Sequence, residues 1–144
     1  MAAQGILIGS RALAEYAKPI RPVADLDVIL HPIGLARLTS PVVATGVPGR
    51  FLSDGMDITL YGSKPAHAIL SQLLVGTVEI RGLILGLPSL SALWAIKSGA
   101  MAYAPRRAKT QTDLAHLEAL GAPSVEPLVL ALEAAIRSDA ASRL

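Results

Sequence analysis

The sequence predicts an α/β (α+β) fold, in which a small mixed-sheet core over residues 1–87 is followed by a helical segment over residues 88–144 that packs on the core. In the first part, short apolar stretches are separated by turn residues, which is typical of buried strands. After Pro88 the apolar residues recur at helical spacing instead. No linker between the two parts is long enough to require separate folding units.

The first half of the predicted core contains two strands. "GILIGS" reads as a short buried strand that ends in a turn, and Ser10 can cap a helix through "RALAEYA" that Pro19 stops. "DLDVIL" reads as the second strand, and Pro32 marks the point where this strand leaves the sheet.

The second half of the core continues the alternation. "PVVATGV" is ambiguous between strand and loop, whereas "MDITLYGS" alternates as a third strand with Asp57, Thr59 and Tyr61 on one face. "PAHAILSQLL" favours a helix, and "TVEIRGLILG" favours one more strand or a hairpin. The core is therefore a sheet with interspersed helices.

The helical tail contains three predicted helices. "SLSALWAIKSGAMAY" begins at Ser89 or Ser91, "AKTQTDLAHLEAL" is closed by Gly121, and "SVEPLVLALEAAIRSDAA" forms the last helix. Trp94 and Met101 lie at helical spacing and are expected to be core residues rather than a base-stacking platform.

Composition excludes several classes of protein. The chain has no cysteine, which excludes disulfide scaffolds and thiolate metal sites. Its formal net charge is only +2, too weak to indicate a nucleic-acid protein by itself. One Trp and one Phe leave little for stacking bases on an aromatic surface.

The hydropathy pattern predicts a cytoplasmic protein without a membrane span. The longest uncharged run, residues 82–96, is shorter than a span and contains Pro88. The first residues show no basic segment followed by an apolar run, so we expect no secretory signal.

Acidic residues flank one predicted strand in a pattern that indicates metal chemistry. Asp25 and Asp27 are two apart and therefore share a face, where like charges repel unless a divalent cation lies between them. Oxygen ligands of this kind suit Mg²⁺. Asp57 supplies a third carboxylate on another strand, and two metal ions held by three carboxylates suit phosphoryl and nucleotidyl transfer.

The Gly9-Ser10 pair is a candidate phosphate site. It lies between a strand and the start of a helix, where free backbone N–H groups attract anions. Gly9 permits close approach of the backbone, and Ser10 adds a hydroxyl donor.

Together the motifs "GSRALAEY", "DLDVIL" and "MDITLY" resemble the nucleotidyltransferase superfamily, which includes DNA polymerase beta, the aminoglycoside nucleotidyltransferases and the short minimal nucleotidyltransferases. The resemblance implies that Asp25, Asp27 and Asp57 are catalytic residues that bind Mg²⁺, as two ions. It also implies that Gly9 and Ser10 hold the phosphates of an NTP such as ATP.

The tail resembles the helical segment that often follows the core in these proteins. The residues of that resemblance are Lys97, Lys109 and Asp113. Lys97 either extends outward to water or reaches a bound anion, and we assign it to nucleotide binding. Arg21 either points to the phosphates, orders the Asp-x-Asp loop or is a solvated loop residue, and we assign it to nucleotide binding. The cluster of Arg106, Arg107 and Lys109 is either a solvated helix face or a contact for the triphosphate or for an acidic acceptor.

Other polar residues have structural interpretations. Asp54 belongs to "SDG", which is a turn signature. The three histidines, at 31, 67 and 116, have no metal-ligand spacing and are expected at surface or satisfied positions.

The implied function is Mg²⁺-dependent transfer of an NMP from an NTP to an acceptor hydroxyl, with release of pyrophosphate. The acceptor is left open among a small molecule, an RNA end and a protein side chain. Two alternatives remain: a minimal nucleotidyltransferase of a toxin–antitoxin pair that adenylylates a protein partner, and a non-catalytic nucleotide-binding or scaffold protein. The Ala- and Leu-rich tail would suit a homodimer or a helical partner as well as a core.

Overall fold

The computed structural model describes residues 3–18, 26–101, 108–124 and 126–142. The chain forms two compact units, one of Met1–Ser63 and Leu74–Leu87 and the other of Lys64–Leu73 and Pro88–Leu144. The predicted boundary at residue 87 stays a prediction, and Lys64–Leu73, which the prediction assigned to the core, groups with the later helices.

The first unit is built around a mixed sheet. Its described strands are β1 (Gly5–Ile8), β2 (Leu26–Leu30), β3 (Val43–Ala44), β4 (Arg50–Ser53), β5 (Met56–Leu60), β6 (Leu74–Ile80) and β7 (Leu83–Pro88). They lie in the order β3-β4-β5-β2-β1-β7-β6. Two short helices, α1 (Gly9–Leu13) and α2 (Pro32–Ala36), follow β1 and β2.

Both strand directions occur in this sheet. β2 runs parallel to β5 and β1 runs parallel to β7, whereas β1 is antiparallel to β2 and β4 is antiparallel to β5. The central strands are the most buried, because both faces of β1 and β2 are covered. Leu7, Val28, Leu30, Ile58 and Leu85 are each fully buried.

The second unit is helical. It contains α3 (Pro65–Ser71), α4 (Leu90–Ala100), α5 (Ala108–Ala119) and α6 (Pro127–Ser142). Ser89 caps the start of α4, since its side chain accepts a hydrogen bond from the Ala92 amide. Gly121, with a φ of 100°, follows the end of α5 as predicted.

Gly99 of α4 lies at a close contact between α4 and α6. A Cβ atom at this position would lie 2.7 Å from the Cβ of Ile136 and 2.9 Å from the carbonyl oxygen of Glu133, both on α6. The two helices can therefore approach this closely only because residue 99 has no side chain.

The predicted fold class is confirmed: the protein is α+β, with a mixed sheet and a helical C-terminal region. One local prediction was wrong: Ser10 does not cap α1, because the helix begins at Gly9 with Ile8 in the capping position. Pro32 follows the end of β2 as predicted, and it also opens α2, where its fixed φ suits the first helical turn. The "TVEIRGLILG" segment belongs to two neighbouring strands, β6 and β7, as its hairpin alternative predicted.

Within the described ranges, no helix combines the length and the apolar character that crossing a membrane requires.

Candidate functional site

Two of the predicted catalytic carboxylates lie side by side in the sheet. Asp27 on β2 and Asp57 on β5 are direct partners in the parallel register. Neighbouring strands are about 4.8 Å apart, and residues at matching positions share a face of the sheet. Both side chains are partly exposed. Two carboxylates that are 30 residues apart in the sequence therefore lie next to each other, at positions that solvent can reach.

Gly9, the first residue of α1 after β1, lies next to one of these carboxylates. A Cβ atom at Gly9 would lie 2.5 Å from Oδ2 of Asp27, so only glycine leaves room for this carboxylate. The φ of Gly9 is 71°, a left-handed value that also favours glycine. Gly9 and the Asp27 side chain are therefore close neighbours.

Arg50 on β4 contacts the second carboxylate. Its Nη2 donates to Oδ1 of Asp57 at 3.2 Å and to Oδ2 at 3.4 Å. The side chains are 30% and 39% exposed, and an ion pair with this exposure contributes about 0–1 kcal/mol to stability. Arg50 neutralises Asp57 but holds it weakly.

An apolar strip continues from the carboxylates toward the edge of the sheet. Leu52 is the register partner of Asp57, and Val43 is the register partner of Leu52. Both are exposed, Leu52 to 49% and Val43 to 59%. Asp57 therefore has a polar neighbour, Asp27, on one side and exposed apolar side chains on the other.

Asp25 and Arg21, which the sequence predicted for metal and nucleotide binding, lie outside the described residues. Among the described residues, no three His, Cys, Asp or Glu side chains are grouped so that they could hold a metal ion. The described part of the chain supplies two carboxylates, Asp27 and Asp57, whose oxygen donors and register suit a divalent cation.

Lys97, predicted to bind nucleotide, lies in the second unit. Its Nζ is 3.2 Å from Oδ2 of Asp113, whose side chain is only 3% exposed. The sequence predicted that Lys97 contacts either water or a bound anion. In the structure it pairs with the buried carboxylate of Asp113 on the next helix. Lys109 is exposed, and Arg106 and Arg107 lie outside the described residues.

Several other polar residues have ordinary structural positions, but Nδ1 of His116 is buried without a hydrogen-bond partner among the described residues, which the sequence did not predict. Asp54 forms the expected turn, with a φ of 46° next to Gly55. His67 is buried in α3, and the rings of His31 and Tyr61 pack against each other with a tilt of 34° and their centres 4.3 Å apart. Trp94 is not a core residue as predicted, since it is partly exposed and its Nε1 donates to Glu118. Burial raises the pKa of the Tyr16 phenol above its usual value of 10.

A separate cleft of about 320 Å³ lies in the first unit. It is lined in part by Arg37, Ser53, Met56 and Arg81. Met56 is buried and precedes Asp57 in β5, so the two side chains point to opposite faces of the sheet. This cleft is therefore not part of the carboxylate site.

Arg50 is the residue near the site that sequence reasoning missed. No strand was predicted over β4, and Arg50 was not among the candidate site residues. The stretch "RFLS" does not alternate, because its two apolar residues, Phe51 and Leu52, are adjacent, so the pattern gives no signal for a strand.

No protein-family model matches the sequence, and no curated protein matches it. Among solved structures, the chain is similar to a crystal structure of an antigenic nucleotidyltransferase-like protein from Paracoccidioides brasiliensis. The TM-score is 0.54 at 17% identity, over 96% of this chain and 82% of that one. At this identity the likeness concerns the fold: this chain has a nucleotidyltransferase-like α+β fold.

Proposed function

We propose that this protein is a Mg²⁺-dependent nucleotidyltransferase, which moves an NMP from an NTP to an acceptor hydroxyl and releases pyrophosphate. The observation that carries the proposal is the register pairing of Asp27 with Asp57, next to a glycine turn that touches Asp27. A nucleotidyltransferase-like fold is compatible with many activities, so the proposal depends on these residues rather than on the fold.

Each residue has a role in the proposed reaction. Asp27 and Asp57, with Asp25, would hold Mg²⁺, which neutralises phosphate charge and acidifies a hydroxyl when bound. Gly9 and Ser10 would hold the β- and γ-phosphates through the backbone and the hydroxyl. Lys97 stays a proposed nucleotide contact in addition to its pair with Asp113.

The bond changes are those of an in-line displacement. The acceptor oxygen forms a bond to the α-phosphorus, and the bond from that phosphorus to the oxygen bridging to the β-phosphorus breaks. The hydroxyl proton passes to a carboxylate oxygen of Asp57, and pyrophosphate leaves. The catalytic contribution of the protein is then mainly positioning and charge neutralisation.

The acceptor would approach from the side of Asp57 that is away from Gly9. Leu52 and Val43 lie on that side and are exposed. An apolar part of the acceptor next to its hydroxyl could cover them, which supports an acceptor that is not uniformly charged.

Calorimetric titration of each of the four NTPs, with and without Mg²⁺, tests the proposal. Wild type should bind at least one NTP only with Mg²⁺, and the Asp25→Ala, Asp27→Ala double variant should not bind it. Asp54→Ala is the matched control, since this carboxylate lies in a turn outside the site. Absence of NTP binding to folded wild type would contradict the proposal, and binding without transfer to any acceptor would favour the scaffold alternative.

A further inference from the structure

The guanidinium of Arg50 and a divalent cation would require the same carboxylate. Arg50 Nη2 lies within hydrogen-bond distance of both oxygens of Asp57. A cation shared by Asp27 and Asp57 also needs an oxygen of Asp57, and two positive charges at one carboxylate repel each other. Arg50 and the cation therefore compete for Asp57.

We propose that Arg50 is a displaceable counter-ion, which holds Asp57 when no cation is bound and leaves it when a divalent cation binds between Asp27 and Asp57. The inference rests on the proposed function, because it takes these two carboxylates as the ligands of the cation. Arg50 is thus a positioning residue, which acts through Asp57.

The geometry of the pair suits displacement. The same nitrogen, Nη2, makes both contacts with Asp57, at 3.2 and 3.4 Å. Strong arginine–carboxylate pairs instead use two nitrogens at about 2.7–2.9 Å. The contact therefore neutralises the charge of Asp57 without the bidentate geometry that would hold this carboxylate firmly.

Arg50 itself is not fully satisfied in this position. Its Nε is buried and has no hydrogen-bond partner among the described residues. A buried donor without a partner is costly, so the guanidinium gains if it can move to an orientation where Nε is also satisfied. Release from Asp57 permits that movement.

The position of Arg50 on β4 allows this change without backbone movement. Arg50 is the register partner of Thr59, two residues beyond Asp57, so its side chain reaches along the strand to the carboxylate. Rotation about the side-chain bonds of Arg50 can withdraw the guanidinium while the strand pairing stays intact.

The charges favour the cation once it is present. Arg50 neutralises Asp57 alone, whereas a divalent cation between the strands neutralises Asp27 and Asp57 together. Removal of the arginine charge should therefore strengthen cation binding. A residue that merely stabilises the site would have the opposite effect when it is removed.

The test measures Mn²⁺ binding to the protein alone, from the free-Mn²⁺ signal in electron paramagnetic resonance. Arg50→Gln should bind Mn²⁺ about fivefold more tightly than wild type, as loss of a partly exposed ion pair allows. Arg50→Lys retains the charge and should bind nearly as wild type does. Arg81→Gln is the control, because Arg81 pairs with Asp54 in a turn outside the site.

Equal or weaker Mn²⁺ binding by folded Arg50→Gln would overturn the counter-ion role while the proposed function stands. If neither wild type nor Arg50→Gln binds Mn²⁺, the carboxylate pair is not a cation site, and both the inference and the metal-dependent function fail. Circular dichroism establishes the fold of each variant.

A second measurement uses wild type only, so it does not depend on a variant that folds. Nuclear magnetic resonance follows the Nε–Hε signal of Arg50 during a Mg²⁺ titration. The signal should shift together with the backbone amide of Asp57. A shift of the Asp57 amide with an unchanged Arg50 signal would show that the guanidinium does not leave, and the proposal would be wrong.

Discussion

Lys97 of α4 forms an ion pair with Asp113 of α5, with Nζ 3.2 Å from Oδ2, and the Asp113 side chain is almost completely buried. A buried carboxylate that loses its counter-ion carries a large desolvation cost. This pair therefore links the stability of the helical unit to a residue that the sequence associated with nucleotide binding.

Lys97→Ala should lower the free energy of unfolding by about 3 kcal/mol, because it leaves Asp113 without this partner in a buried position. Urea unfolding followed by circular dichroism measures the change. Lys64→Ala is the matched control, since Lys64 pairs with Asp139 at the same 3.2 Å but in a more exposed setting. The control should lose no more than about 1 kcal/mol. Equal losses in the two variants would contradict the assignment.

Gly9→Ala should abolish divalent-cation binding and also lower stability by about 1–2 kcal/mol, because the new Cβ meets the Asp27 carboxylate and the φ of 71° is strained for alanine. Gly49→Ala isolates the backbone effect, since Gly49 has a φ of 75° and open space around it. Thermal unfolding and Mn²⁺ binding are measured for both. Retained Mn²⁺ binding in Gly9→Ala would show that Gly9 does not position Asp27.

Gly99→Ala should destabilise the protein by about 1–3 kcal/mol, because the added methyl group overlaps Ile136 and the backbone of α6. Helix propensity alone favours alanine over glycine by about 1 kcal/mol and would make the variant more stable. A loss of stability therefore shows that the packing overlap outweighs the gain in helix propensity. Ser98→Ala, one position earlier on α4, serves as the control in urea unfolding. A stabilised Gly99→Ala protein would mean that the two helices can separate without cost.

Alkaline pH should destabilise the protein in part through Tyr16. Burial raises the folded-state pKa of its phenol above 10, so the folded protein keeps this proton when the unfolded chain loses it. The contribution to stability is complete below pH 10 and is lost as the pH rises through the folded-state pKa. Unfolding of wild type and Tyr16→Phe is compared from pH 8 to 11. Identical pH slopes in the two proteins would contradict this role.

The sequence predicted the fold class and the strands that carry the carboxylates. "DLDVIL" is recognisable as a short apolar run, which is typical of a strand buried on both faces, and "MDITLY" is recognisable by its alternation of apolar and polar residues. Asp27 and Asp57 could be named for the same reason, since each interrupts an apolar strand at a partly exposed position.

The contacts between elements could not be predicted in this way. The register that aligns Asp27 with Asp57, and the approach of Arg50 from β4, depend on how strands distant in sequence pair. Lys97 shows the same limit: helical spacing placed it on α4, but its partner is set by the packing of α5 against α4. Secondary-structure propensity depends on neighbouring residues in the sequence, whereas these contacts depend on the tertiary packing of distant elements.

The pairing of β2 with β5 also has a consequence for the order in which the protein forms. These strands are parallel neighbours, and α2, β3 and β4 lie between them in the sequence. These three elements must therefore be synthesised before Asp57 can pair with Asp27. Contacts of this kind, between segments far apart in the chain, form slowly and late. A nascent chain that has not yet paired these strands therefore has no carboxylate pair, and the proposed chemistry would begin only after the sheet has assembled.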